Sequence, residues 1–205
     1  MVTPHTILYY IHDPMCSWCW GFRPTLTTVL ERLENTIPVQ YLLGGLAPDS
    51  NEPMPQAMQA HIRDNWKRIQ QTIPGTKFNF DFWTSCQPRR STYPACRAVI
   101  ATRNQLPSLE TTMILAIQEA YYLMAKNPSN NEVLIELANS LGLDTIRFAQ
   151  DLTSPETQQK LLSEIQFCRE LCVSSFPSMV LKENDSSTFL KLDYNDPDIL
   201  CQQIN

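Results

Sequence analysis

The sequence predicts an α/β protein whose sheet is interrupted by a large all-helical insertion, in the order βαβ, helical block, αββα. Three observations carry this prediction. Two apolar, β-rich runs, TILYYIHD (6–13) and VQYLLGGLAP (39–48), flank a helical pattern near the N-terminus. From about residue 52 to 172 the apolar residues keep helical spacing and no convincing strand interrupts them. Two further β-rich runs, FPSMVLKE (176–183) and STFLKLDY (187–194), then precede a short closing helix.

Taken in order, TILYYIHD has the length of one buried strand. Leu26, Val29, Leu30 and Leu33 recur at helical spacing behind it. VQYLLGGLAP ends in Gly44, Gly45 and Pro48, the punctuation of a strand running into a loop. Strand, helix, strand in so short a span is a βαβ unit, which predicts parallel strands and a right-handed crossover. Next, Met58, Ile62, Trp66, Ile69 and Ile73 share one helical face, with Arg63, Asp64, Lys67 and Arg68 opposite. PGTKFNFDFWTSCQPRR (74–90) reads as a loop. Helical patterns follow over 94–105, 108–126 and 131–140, with a stop at LGL (141–143) and Asp144 as N-cap of a short helix to about 151. Pro155 opens another over 155–172, Asn184, Asp185 and Ser186 suit a hairpin, and Asp196 with Pro197 starts the last helix. Residues 1–50 and 153–205 are therefore expected to form one domain, with 51–152 as its helical insertion. Neither an internal repeat nor a low-complexity linker is visible.

Composition narrows the function classes. Apolar residues at 43% and charged residues at 18% fit a globular protein. A net charge of -5 argues against nucleic acid, which needs clustered Lys and Arg. No apolar run approaches the roughly 18 residues that span a bilayer, so no membrane association is expected. MVTPHTILYYIHD lacks the basic, apolar and small-residue regions of a signal peptide, and the expected location is cytoplasmic. There are seven cysteines, an odd number, and in a reducing compartment each defaults to a small buried residue.

Cys16 and Cys19, in DPMCSWCWGFRP (13–24), depart from that default. A thiolate is the reactive form of cysteine, and a helix N-terminus, with its unpaired N–H groups and partial positive charge, stabilises it. Cys16 stands where the strand ends and the helix begins. Cys19, one turn on along the same face, is within disulfide reach and less exposed. One thiol attacking and the other resolving is the arrangement of thiol–disulfide exchange. Met15, Trp18 and Trp20 would give an apolar rim; core packing is the alternative for both tryptophans, more so for Trp20 on the helix body. Pro24 should kink the helix. Structural zinc needs four ligands, and Cys86, Cys96, Cys168, Cys172, His5, His12 and His61 are the remaining candidates. A second cysteine pair on a helix is more often packing, so no metal is expected; a second redox pair at Cys168 and Cys172 is the minor alternative. In SSFPSMVL (174–181), Pro177 reads either as a plain edge-strand proline or as a cis Phe176–Pro177 bond that exposes backbone beside Cys16 to an extended substrate.

With CSWC after the first strand, FP opening the third, and the helical block between, the chain resembles the thioredoxin-fold superfamily and its DsbA-like branch. STYPACRAVIAT (91–102) resembles cytoplasmic FrnE-like members described as predicted protein-disulfide isomerases. The resemblance implies Cys16 as nucleophile, Cys19 as resolving thiol and Pro177 as cis-proline preceded by Phe176; the apolar rim of Trp18 and Met15 is expected to dock the substrate. The resemblance also implies exchange on protein or peptide disulfides without metal or organic cofactor. Ser17 and Trp18 are not the Pro-His pair of the periplasmic enzyme, so the potential stays open. VQYLLGG offers no acidic residue as buried proton acceptor; His12 and Asp13 could serve, or could belong to a surface loop. Two other readings remain. Kappa-class enzymes use glutathione as co-substrate and need no resolving thiol, which Cys19 speaks against. A non-enzymatic chaperone or client-binding module would leave the cysteines incidental.

Overall fold

The computed structural model describes residues 6–33 and 36–204. At its centre lies β1 (Thr6–His12), parallel to β2 (Val39–Leu43) and antiparallel to β3 (Ser178–Glu183); β3 pairs in turn with β4 (Ser186–Phe189), giving the order β2-β1-β3-β4. The period of two along β1 explains why it is buried from Leu8 onward. Leu8 and Tyr10 face α1 (Ser17–Arg32) and α9 (Pro197–Ile204), meeting Phe22, Leu26, Val29 and Leu200. Tyr9 and Ile11 face the other way, toward Cys168 and Leu171 at the end of α8 (Pro155–Glu170). Each fully buried Leu, Val or Phe of this kind contributes about 1.5–3 kcal/mol. The expected βαβ unit and the terminal hairpin are both present.

Between β2 and α8 the chain runs through α2 (Gln56–Thr72), α3 (Phe82–Ser85), α4 (Tyr93–Gln105), α5 (Glu110–Tyr122), α6 (Asn131–Ser140) and α7 (Thr145–Thr153). They enclose a second core around Trp66, Ile100, Met113, Ile117, Leu134 and Phe148, which extends to Met15 and Leu43. The caps are those the sequence predicts. Asp144 accepts from the N–H groups of Ile146 and Arg147, Asp196 accepts from Asp198 N, and Gly142 stops α6 at φ +73°.

Four expectations change. FNFDFW (78–83) is not all loop: it holds α3, and Phe78, Phe80, Phe82 and Trp83 pack round Trp66 at centroid separations of 4.8, 5.6, 6.0 and 5.0 Å. α5 ends at Tyr122 and not 126, because Ala125 takes φ +52° and Lys126 N returns to Ala120 O. α8 ends at Glu170, since Cys172 turns left-handed at φ +60°. Strand β4 stops at Phe189, short of Tyr194: Leu190 N still reaches Met179 O, but Lys191 N is taken by the Gln203 side chain of α9.

Candidate functional site

The strand-to-helix junction builds the site. After β1, Cys16 N donates to Asp13 O at 3.0 Å, and Cys16 itself occupies the N-cap of α1 with φ -82° and ψ 117°. Its carbonyl accepts the first helical bond from Trp20 N, leaving the sulfur at the mouth of the helix. Cys16 is 6% exposed and Cys19 1%, and both are free thiols. Their acidities are driven apart. The Cys19 side chain, hydrogen-bonded to Cys16, holds the Cys16 thiol below the ordinary value; backbone N–H groups of Cys19 and Trp18 help, against burial and the charge of Asp13. Cys19 is pushed well above it by burial first and by Cys16 second. Within the pair, iodoacetamide is therefore expected to alkylate Cys16 and not Cys19, rising with pH to a midpoint below that of a free cysteine, near 8.5. A midpoint at or above that value, by fragmentation mass spectrometry that locates the adduct on Cys16, would contradict this geometry.

Phe176–Pro177 is cis, and Phe176 O accepts from the Cys16 thiol at 3.5 Å. The Phe176 ring lies over Gly44, where an added Cβ would stand 2.0 Å from Phe176 Cε1. Trp18 packs against Tyr194 at 5.2 Å, with the Arg68 guanidinium 5.3 Å over its ring. Met15, Cys16, Trp18 and Phe176 line a groove of about 370 Å³, shared with Met58 and Ile62 of α2. Trp20 does not belong to this rim. It stacks on Tyr122 and donates from Nε1 to Lys77 O at 3.0 Å, joining α1 to the inserted helices.

Asp13 and His12 are not on a surface loop; both are fully buried. Asp13 Oδ1 accepts from Met15 N at 2.7 Å, while Oδ2 accepts from Leu46 N at 2.7 Å, Thr92 Oγ1 at 2.6 Å and the Cys96 thiol at 3.6 Å. One carboxylate thus ties the Cys16 loop, the segment after β2 and the start of α4 together. Burial raises its pKa, opposed by these hydrogen bonds. His12 stacks on Tyr10 and meets Tyr41 edge-on; burial and Arg103 lower its pKa to about 3, so it stays neutral.

Thr92, Leu46 and Gly44 did not stand out as site residues in the sequence, although STYPACRA contains Thr92 and Cys96. The other cysteines do not gather. Cys168 is buried, with its thiol pushed up to about 12 mainly by desolvation, Cys172 is exposed, and Cys86 donates to Ala125 O. Among the described residues no group of three or more His, Cys, Asp or Glu could hold a metal ion; His5 lies outside them. Nor is any described helix long and apolar enough to cross a membrane.

Comparisons with known proteins agree with this architecture. A family model described as Thioredoxin matches residues 9–199. A crystal structure from Nitrosomonas europaea, of a protein with the provisional designation protein disulfide isomerase, superposes with a TM-score of 0.85 at 29% identity, covering 97% of this chain and 95% of that one. The cytosolic disulfide reductase DsbM of Pseudomonas aeruginosa superposes at 0.76 with 24% identity, covering 97% and 96%, and at 0.75 when solved with GSH. Among curated proteins, the ClpXP adapter protein SpxH of Halalkalibacterium halodurans is 26% identical over 177 residues, which cover 84% of this chain but 57% of that protein's length. With the cysteine pair at its helix start, and a family match over nearly its whole length, this chain belongs to the thioredoxin family.

Proposed function

We propose that the protein is a cytoplasmic thiol–disulfide oxidoreductase that reduces or isomerises protein or peptide disulfides through Cys16 and Cys19. The observation that carries the reading is the split pair at the N-terminus of α1, with the more acidic sulfur beside Phe176 O. The Cys16 thiolate attacks one sulfur of a substrate disulfide, and the displaced substrate thiolate takes a proton. Cys19 then loses its proton and attacks Cys16 Sγ. A Cys16–Cys19 disulfide forms and the second substrate thiol leaves, so the substrate gains the two electrons that the pair loses. Two molecules of an external thiol such as glutathione reset the pair. The first attacks Cys16 Sγ and releases Cys19. The second attacks the glutathione sulfur of that mixed disulfide, releasing the low-pKa Cys16 as the better leaving group together with oxidised glutathione. The resemblance to DsbM, a cytosolic disulfide reductase also solved with GSH, supports both the reductase role and that choice of thiol.

The test is to express Cys19→Ser and look for trapped mixed disulfides. Many protein adducts, released by dithiothreitol and absent from Cys16→Ser, are the expected result. Adducts with glutathione alone would favour a glutathione-dependent enzyme. The curated relatives favour a second reading, since they are named as ClpXP adapter proteins. On that reading no adduct forms, and client binding survives Cys16→Ser unchanged.

A further inference from the structure

We propose that the groove beside Cys16 selects protein segments whose reacting cysteine is flanked by acidic residues, with Arg90 as the cation that reads them. The inference rests on the exchange reading above and names its substrate class. The chain carries a net charge of -5, yet no Asp or Glu is among the groove's lining residues; the charged ones are Arg89 and Arg90, with His61 beside them. Arg89 is committed to the fold, donating to Ser129 O and Asn130 Oδ1. Arg90 is half-buried and has no hydrogen-bond or ion-pair partner among the described residues.

A guanidinium drawn partly out of water without a counter-charge is unfavourable, and this one stands in a wall with Met15, Met54, Met58 and Ile62. Such apolar surroundings weaken screening and strengthen attraction to an incoming anion. Of the neighbouring acids, Asp64 pairs with Lys67 and Asp49 with Arg97, while Asp13, fully buried behind the groove, is occupied by Met15 N, Leu46 N, Thr92 Oγ1 and the Cys96 thiol. Along the rim, Arg68 over Trp18 adds positive charge. A planar guanidinium fits a carboxylate through two parallel hydrogen bonds. A groove of about 370 Å³ admits only a short stretch of chain, so that carboxylate stands close in sequence to the reacting cysteine.

The experiment uses peptide disulfides that differ only in Asp, Asn or Lys beside the cysteine, together with oxidised glutathione. Reduction is measured as kcat/KM, and binding of the corresponding serine-for-cysteine peptides by calorimetry. Wild type is expected to favour Asp over Lys by about tenfold at low salt, less as salt rises. Arg90→Gln should collapse the ratio, and Arg90→Glu should invert it. Equal handling of all three peptides, or a preference that survives Arg90→Gln, overturns the proposal. A larger Arg90 dependence for oxidised glutathione than for the Asp peptide also overturns it, making the free tripeptide the occupant. If no disulfide is reduced, the exchange reading fails, while the binding of the serine peptides still decides charge selection.

Discussion

Gly44→Ala is expected to lower the rate of disulfide exchange by about 100-fold or more, the scale set by angstrom-sized misplacement of reacting groups. Gly44 closes β2 against the centre of the sheet, its N–H donating to His12 O at 2.7 Å, so its backbone has no room to retreat. A methyl group there would lie 2.0 Å from Phe176 Cε1 and 2.1 Å from Cζ. The ring must therefore move, and it belongs to the residue whose carbonyl receives the Cys16 thiol and whose side chain forms part of the groove. Overpacking of this kind costs about 1–3 kcal/mol in stability, which leaves a folded protein to assay. Turnover of a peptide disulfide and the thermal midpoint should be followed together, with Phe176→Ala added to Gly44→Ala. Removing the ring is expected to recover the lost stability but not the rate. Wild-type turnover in Gly44→Ala would remove Phe176 from the reacting geometry.

Asp13→Ala is expected to destabilise the protein by about 3–5 kcal/mol, because each buried donor left without an acceptor costs about 1–3 kcal/mol. Met15 N and Leu46 N lose their acceptor at once, and Thr92 Oγ1 keeps only its longer 3.3 Å bond to Ala47 O. A second effect has a definite sign. The Asp13 charge opposes the Cys16 thiolate, so removing it should shift the alkylation midpoint of Cys16 further down in pH. Denaturant titration and the alkylation profile measure the two separately. A stability loss under 1 kcal/mol would mean that water replaces the carboxylate, and the junction would not depend on it. The same loss is not expected from Cys96→Ala, whose thiol makes the longest of the four contacts at 3.6 Å.

The parts of this site that were legible in the sequence are those governed by neighbours along the chain. Cys16 and Cys19 announce themselves because helix start, spacing and thiol chemistry all lie within four residues. Asp144, Gly142 and Pro155 mark helix ends for the same local reason. Asp13 and Thr92 are 79 positions apart, and nothing in either segment shows that they meet. Gly44 reads as the end of a strand, and only the ring of Phe176 explains why that position cannot carry a side chain. FNFDFW alternates aromatic and polar residues as a strand would, yet it forms a turn and α3, because Phe78, Phe80 and Phe82 converge on Trp66, a demand set by the second core and not by local periodicity.

The pairing of β1 with β3, Thr6 opposite Glu183, has a consequence for the life of the chain on the ribosome. β1, Cys16, Cys19 and β2 emerge first, and β3 follows only after α2–α8 have been made. At about 5–20 residues per second, the roughly 130 residues between β2 and β3 take on the order of ten seconds to synthesise. During that delay one flank of β1 has no strand to cover it, and the Cys16 thiol lacks the Phe176 carbonyl. The nascent chain therefore carries two cysteines open to adventitious oxidation, and the site is complete only when Phe176 and β3 have left the tunnel.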